Sequence, residues 1–319
     1  MGDNMKYKKI VVAGGGILGS QIAFQSAYTG FDVTILVNNN VDQVKEKLDN
    51  LYKKYIDVIK NTTKDNFARG LADIDNFNKD ECINNAKKAL DSIKIETDQA
   101  KALDNADLLV ESITEKLDVK CSFYEQISSL LPEKTVIVTN SSTLLPSKMA
   151  KYTGREEKYL CMHFANEIYK NNIVEIMGHS NTDEKYYEEI SEFAKAINMI
   201  PLLAKEEKSG YILNSMLVPF LLSAMDLLAN GVSDVETIDK AWTLGTGAPN
   251  GPFQILDVVG LETAKNIVEQ YQKVPNIFDP LLKKMMLPYN FDEMLRILNE
   301  YIDQGKLGKS SGEGFYKYK

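Results

Sequence analysis

An α/β domain built on a mostly parallel sheet, followed by an all-α domain, is the fold class that this 319-residue sequence predicts. Three observations lead there. Short β-branched runs alternate with helical periodicity through the first two thirds of the chain, a glycine-rich turn closes the first run, and beyond Ala204 the strand pattern stops.

The elements follow in order. "KKIVVAG" reads as a strand, Ile17 to Tyr28 as a helix and "FDVTILV" as a second strand. Residues 41–93 form a polar, charged helical stretch, too long for a simple crossover, which predicts a projecting helix pair. Strands "IKIET", "DLLVESI" and "TVIVTN" come next, with helical segments between them. "YLCMHFA", "NIVEIM" and "IPLLA" supply three more, with a helix over 183–198 before the last. From Gly210 the chain reads as helices, punctuated by "GTGAPNGP" and ending in "GKLGKSSGEGFYKYK". The change of pattern sets the expected domains at 1–206 and 207–319.

Composition narrows the function. A formal charge of −8 argues against a phosphate-backbone partner, whose affinity needs clustered Lys and Arg, so no nucleic acid is expected. The three cysteines, Cys82, Cys121 and Cys161, lack C-x-x-C spacing and fit buried thiols in a reducing compartment. "MGDNMKYKKI" has no apolar leader core, and Lys6 stands where a myristoylation signal wants Ser or Thr. The most apolar stretch, from Tyr211, carries Asn214, Pro219 and Asp226, which suits a buried helix better than a membrane span. The expectation is a soluble cytoplasmic protein with no membrane partner. Cys161 and His163 have no further ligands at metal spacing, so no metal is expected.

In "VVAGGGILGSQIA", Gly14, Gly16 and Gly19 form G-x-G-x-x-G, with Ile17 and Leu18 inside the motif. They close a strand and open a helix, where a Rossmann-type dinucleotide site needs a tight turn, close backbone approach and tight helix packing. The far end departs from the pattern. An acid usually ends the second strand to bind the ribose of NAD, but Val37 and three asparagines stand there, so charge gives no vote between NAD and NADP. "DQGKLGKS" approaches a Walker A loop, yet Asp303 replaces its first glycine and a helix precedes it.

Chemistry is expected at the carboxyl ends of the later strands. "TNSSTLLPS" follows one strand and "CMHFANE" ends the next. Removing hydride from a secondary alcohol requires a group to take the hydroxyl proton, and His163 suits that task, with Glu175 on the following strand as partner for its other ring nitrogen. Ser142 and Asn214 offer hydrogen bonds to the reacting oxygen. Plainer readings stand beside these: a satisfied core histidine, a helix cap at residues 141–143, a surface strand charge at Glu175 and a buried amide at Asn214.

"VVAGGGILGSQIA", "VESITEKLDVK", "NSSTLLP", "MHFANE", "IVEI", "YILNSMLVP", "GAPNGPFQILDVVGLET" and "GKSSGEGFYKY", in that order over nearly the whole chain, resemble the 3-hydroxyacyl-CoA dehydrogenases. The likeness is to the short-chain single-function type, 3-hydroxybutyryl-CoA dehydrogenase. The family's serine in "NTSS" falls on Ser142, its "HFFNP" histidine on His163, its "VE" glutamate on Glu175 and its "N-R-[LI]" asparagine on Asn214. The resemblance implies a short acyl-CoA substrate, His163 as general base with Glu175 as its partner, and Ser142 with Asn214 as oxygen-binding groups. Around an NAD cofactor it implies the glycine turn, Ser112, Glu115, Lys120, Asn140 and Asn166. It also implies a homodimer joined through the C-terminal helices and a helix pair touching CoA.

Three departures accompany the likeness. The acid is absent at Val37, leaving NADP open. Ala165 and Glu167 replace an aromatic and a proline after His163, and "AKEEKSGYILN" lacks a proline and is one residue longer. Similar two-domain enzymes resemble carnitine and gulonate dehydrogenases, which act on free 3-hydroxy acids. Lys53, Lys54, Lys60 and Lys64 fit a CoA phosphate or a solvated helix face equally.

Overall fold

Side chains on both faces of the central strands of the sheet are buried, which is why those strands read as continuous apolar runs and not as alternation. The computed structural model describes residues 6–64, 66–272 and 289–318. Residues 1–5, which bear on the expected lack of a leader, and 273–288 of the expected helical region lie outside the described residues.

The strands are β1 (Lys9–Ala13), β2 (Asp32–Leu36), β3 (Lys94–Glu96), β4 (Leu108–Glu111), β5 (Val136–Thr139), β6 (Tyr159–Phe164), β7 (Ile173–Met177) and β8 (Ile200–Ala204). They pair in the order β3-β2-β1-β4-β5-β6-β7-β8. All neighbours run parallel except β6 and β7, which are antiparallel. The order reverses between β1 and β4, and such a switch point opens a crevice at the strand ends where α/β folds bind ligands.

Alternate residues feed two cores. Ile10, Val12, Leu108, Val110, Val136 and Val138 face one, with α1 (Ile17–Tyr28), α2 (Val41–Asn61), α3 (Lys79–Ser92) and α7 (Glu184–Ala196) supplying the opposite wall. Val11, Ala13, Leu109 and Ile137 face the other, against α4 (Gln99–Leu103), α5 (Leu117–Ile127) and α6 (Pro146–Met149). The expected helix pair is α2 and α3, and it is anchored, not free-standing. Val44, Leu48, Leu51, Tyr55 and Ile59 put one stripe of α2 into the first core, Val41, Tyr52, Ile56 and Val58 pack half-buried beside it, and most of the charged residues stay in solvent.

The chain divides into two compact units, Met1–Ile212 and Leu213–Lys319. The division falls later than the expected 206/207 boundary, because residues just before it are tied into the first unit. The Tyr211 hydroxyl donates to the Ser141 carbonyl at 2.7 Å and the Ile212 amide to Glu175 Oε1 at 2.9 Å.

The second unit contains α8 (Leu213–Ala229), α9 (Val235–Thr246), α10 (Pro252–Val259), α11 (Leu261–Gln272) and α12 (Phe291–Asp303) around a core that includes Leu222, Phe253, Leu261, Met294 and Leu298. Its C-terminal "GEGFYKY" segment is held by two buried carboxylates, Asp257 and Asp239, the latter accepting the Tyr316 hydroxyl at 3.0 Å. Asp257 accepts the Phe315 and Tyr316 amides at 2.8 and 2.9 Å and the Tyr318 hydroxyl at 2.9 Å. The stretch once compared with a Walker loop follows α12, so it opens from a helix and not from a strand. Among the described residues no helix is long and apolar enough to cross a membrane.

Candidate active site

The glycine turn builds one wall of a cleft. Gly14 has φ +111°, a region open to glycine, and a Cβ there would meet the Ser112 carbonyl oxygen at 2.4 Å. Gly19 packs α1 so closely that a Cβ would lie 2.1 Å from the Gly14 oxygen. Gly16 then caps α1 with no side chain over its first-turn amides. The resulting cleft of about 720 Å³ is lined by Gly14, Gly16, the end of β2 with Asn38 to Asn40, Ser112 to Thr114, and the first turns of α5. A bare helix N-terminus at a switch point is what a dinucleotide pyrophosphate requires, so these residues fit NAD.

At the β2 end, Val37 is buried in the core and the asparagines are exposed. Among the described residues lining the cleft, Asp118 is the one acidic side chain, and the Lys47 ammonium is spent on the Gly15 carbonyl at 2.8 Å.

The second cluster arises from the antiparallel pair. A short connection between neighbouring strands forces them antiparallel, and the β6–β7 register sets His163 directly opposite Glu175. Both side chains are buried. His163 Nδ1 lies 3.1 Å from Glu175 Oε2, and Nε2 lies 3.2 Å from Ser142 Oγ. Thus three sequence-derived residues stand in one row. Asn214 lies in the first turn of α8, in the second unit. The chain's other histidine, His179, is a different case: Nε2 bonds the Glu156 carbonyl and Nδ1 accepts the Asn181 amide, so both nitrogens serve its loop.

Ser142 is held by the loop that carries it. Glu115 Oε1 accepts from Ser141 Oγ at 2.6 Å, the Ser142 amide at 3.0 Å, and the Thr143 amide and hydroxyl, each at 2.9 Å. Burial opposes the Glu115 charge, yet those hydrogen bonds from Ser141 and Thr143, with the nearby Lys120, hold its carboxyl below the usual range. The helix-cap reading of this loop does not hold, since α6 has no side-chain cap and Ser141 Oγ instead accepts the Leu144 amide at 3.0 Å.

Beneath the loop lies a buried ion pair. Glu111 accepts from Lys120 Nζ at 2.6 Å, the Ile113 amide at 2.8 Å, the Tyr124 hydroxyl at 2.8 Å and Thr139 Oγ1 at 2.7 Å. Full pairing of this kind is what a charge needs to persist in an apolar interior. Asn140 ties the ends of β4 and β6 together, accepting the Phe164 amide at 3.0 Å and donating to Ser112 Oγ at 3.5 Å.

Of the residues expected around the cofactor, Gly14, Gly16 and Ser112 line the cleft. Ile17, Leu18 and Gly19 open α1 beside it. Glu115, Lys120 and Asn140 are engaged in the network just described, and Asn166 is exposed in the turn after β6. Sequence reasoning missed Glu111, whose sign was an acid inside an apolar strand with a lysine nine residues on. It also missed Tyr211, whose ring stacks on His163 with centroids 4.5 Å apart. Among the described residues no group of three metal-binding side chains occurs.

Residues 9–207 match the family model for the NAD binding domain of 3-hydroxyacyl-CoA dehydrogenases, and residues 210–318 match the model for their C-terminal domain. Mitochondrial hydroxyacyl-coenzyme A dehydrogenase of Homo sapiens is 33% identical over 312 residues, covering 98% of this chain and 91% of that one. A 3-hydroxybutyryl-CoA dehydrogenase of Bradyrhizobium diazoefficiens is 28% identical over 313 residues, covering 98% and 96%. A solved structure of a diketoreductase, described for dual catalysis of dicarbonyl compounds, is 43% identical with a TM-score of 0.82, covering 98% of this chain and 99% of that one. With a glycine turn fit for NAD and both domain models matched across the chain, this protein belongs to the 3-hydroxyacyl-CoA dehydrogenase family of NAD-dependent oxidoreductases.

Proposed function

We propose that the chain interconverts a short-chain 3-hydroxyacyl-CoA and its 3-ketoacyl-CoA, with His163 as acid-base at the C3 oxygen. The observation that carries this reading is the row Ser142, His163, Glu175. A carboxylate only accepts hydrogen bonds, so Glu175 places the ring proton on Nδ1 and leaves the lone pair on Nε2. Nε2 is therefore the basic atom, on the side where Ser142 stands.

When bound, NAD⁺ supplies the hydride acceptor. In the oxidative direction His163 Nε2 takes the hydroxyl proton as hydride leaves C3, and Glu175 stabilises the imidazolium that results. In reverse the imidazolium returns the proton to the ketone oxygen. Ser142 and, by its place in the family order, Asn214 bind that oxygen. Glu115, Lys120, Asn140 and Asn166 complete the cofactor side of the reading beside Gly14, Gly16, Ile17, Leu18, Gly19 and Ser112.

Two names among the relatives, a hydroxyacyl-coenzyme A dehydrogenase and a 3-hydroxybutyryl-CoA dehydrogenase, support the thioester. Lys53, Lys54, Lys60 and Lys64, on α2 and just after it, are exposed and open to a CoA phosphate as much as to solvent. A second reading, a dicarbonyl compound or free 3-hydroxy acid without CoA, has its own support. The diketoreductase is 43% identical, and the exposed Glu167 with half-buried Ala165 follows His163 in place of the family's aromatic and proline. Met216, Val232, Leu244 and Val258, exposed on the second unit, support a homodimer through its helices.

Acetoacetyl-CoA assayed against acetoacetate and its esters, with NADH and NADPH in parallel, and free 3-hydroxy acids assayed with NAD⁺ and NADP⁺, separate the readings. A kcat/KM highest for acetoacetyl-CoA supports the thioester, and one highest for the CoA-free compounds replaces it. His163→Ala is expected to lose roughly 10²–10⁴-fold in kcat while NADH binding, read by fluorescence titration, stays put. Undiminished turnover in that variant would end the assignment.

A further inference from the structure

Tyr211 closes the first unit in a backbone conformation that a bulky side chain rarely adopts, φ +51°, directly after Gly210 at φ +79°. Strain of this kind persists only where its surroundings hold it, and here they do so at the proton-transfer site. The ring is 1% exposed and lies nearly parallel to the His163 imidazole, 12° between planes with centroids 4.5 Å apart. Its hydroxyl donates to the Ser141 carbonyl at 2.7 Å, one residue before the serine that faces Nε2. The next amide, on Ile212, donates to Glu175 Oε1 at 2.9 Å. Two adjacent residues therefore touch His163 and Glu175 and hold the residue that precedes Ser142.

We propose that Tyr211 is a positioning residue for this reaction, its ring fixing the plane of His163 and its hydroxyl fixing the loop that presents Ser142. The inference rests on the reading of His163 and Ser142 given above. Glycine at this position would relieve the backbone and offer neither contact, and leucine would fill the space without a flat face or a donor. Burial pushes the phenol well above its ordinary range, so the hydroxyl stays protonated and can donate throughout the working pH range. The imidazole plane matters because Nε2 must aim at the alcohol, and a misplacement of about 1 Å in such a site can cost on the order of 10²-fold in rate.

Two variants separate the contacts. Tyr211→Phe keeps the ring and removes the hydroxyl, and Tyr211→Leu removes both. Tyr211→Leu is expected to lose on the order of 10- to 10²-fold in kcat with the NADH dissociation constant unmoved. Tyr211→Phe is expected to recover most of that loss. Its remaining deficit should vanish in a Ser142→Ala background, since a hydroxyl that acts through the serine has nothing left to act on. Because the chain has 2 histidines, ¹³C-histidine spectra resolve His163. Loss of the stacked ring in Tyr211→Leu should shift its ring protons downfield while Tyr211→Phe leaves them in place.

The proposal is overturned by full kcat in Tyr211→Leu, by a kcat loss that tracks weaker NADH binding, by additive losses in the double variant, or by unmoved His163 resonances. Full activity in His163→Ala would instead remove the site reading beneath it. The Tyr211 results alone, with His163→Ala inactive, decide this inference.

Discussion

At His163 each ring nitrogen has a single partner in the row, and the two partners differ in what they can do. Glu175 can only accept, whereas Ser142 can donate or accept, so the proton is placed on Nδ1 by chemistry and not by chance. Glu175→Gln should upset this more than its small change in shape suggests. The Ile212 amide claims an oxygen at the Oε1 position, which turns the new NH₂ toward Nδ1. A donor there drives the ring proton to Nε2 and removes the base. We expect kcat to fall on the order of 10²-fold, with an altered pH profile of kcat/KM and unchanged NADH affinity. Full activity would return Glu175 to a packing role. Its 2% exposure already excludes the plainer reading of a surface strand charge.

At the scale of elements, the loop after β5 owes its shape to one carboxylate. Glu115 is held below the ordinary glutamate value of 4.5. Its folded pKa therefore lies below its unfolded one, so its contribution to stability is complete above the unfolded value and is lost as pH falls through the folded one. Glu115→Gln should melt below the parent at neutral pH, and the gap should narrow once pH drops below about 4.5. Thermal melts from pH 7 to pH 3 check this, and a gap that persists at the acid end would remove the charge from the explanation.

The strands and α1 were legible because buried β-branched runs and a glycine turn are local signals. The His163 and Glu175 pairing was legible in part, since two strands at that interval can bring the residues abreast once they pair antiparallel. The anchoring of α2 was harder to read, because its buried stripe is diluted by lysines. Tyr211 left no mark at all. A left-handed tyrosine looks like any other in the sequence, and its partners, Ser141 and His163, lie far away along the chain. Glu115 was picked out by the family likeness alone, and its hold on residues 141–143 was not legible, because that commitment exists only after folding.

For the whole molecule, each unit carries its own core, and the cofactor cleft belongs entirely to the first. The proposed homodimer rests on the second, where Leu244 is 84% and Val258 65% exposed. Leu244→Glu with Val258→Glu should lower the mass measured by light scattering from two chains to one while NADH still binds. A parent that already runs as one chain would dispose of the dimer. The strand ladder that joins His163 to Glu175 bears on how similar sequences are interpreted. Gaining or losing one residue inside either strand would keep both letters in an alignment yet turn one of them to the sheet's opposite face. A relative can thus retain the whole signature and be inert, and the spacing between the two letters carries as much meaning as the letters themselves.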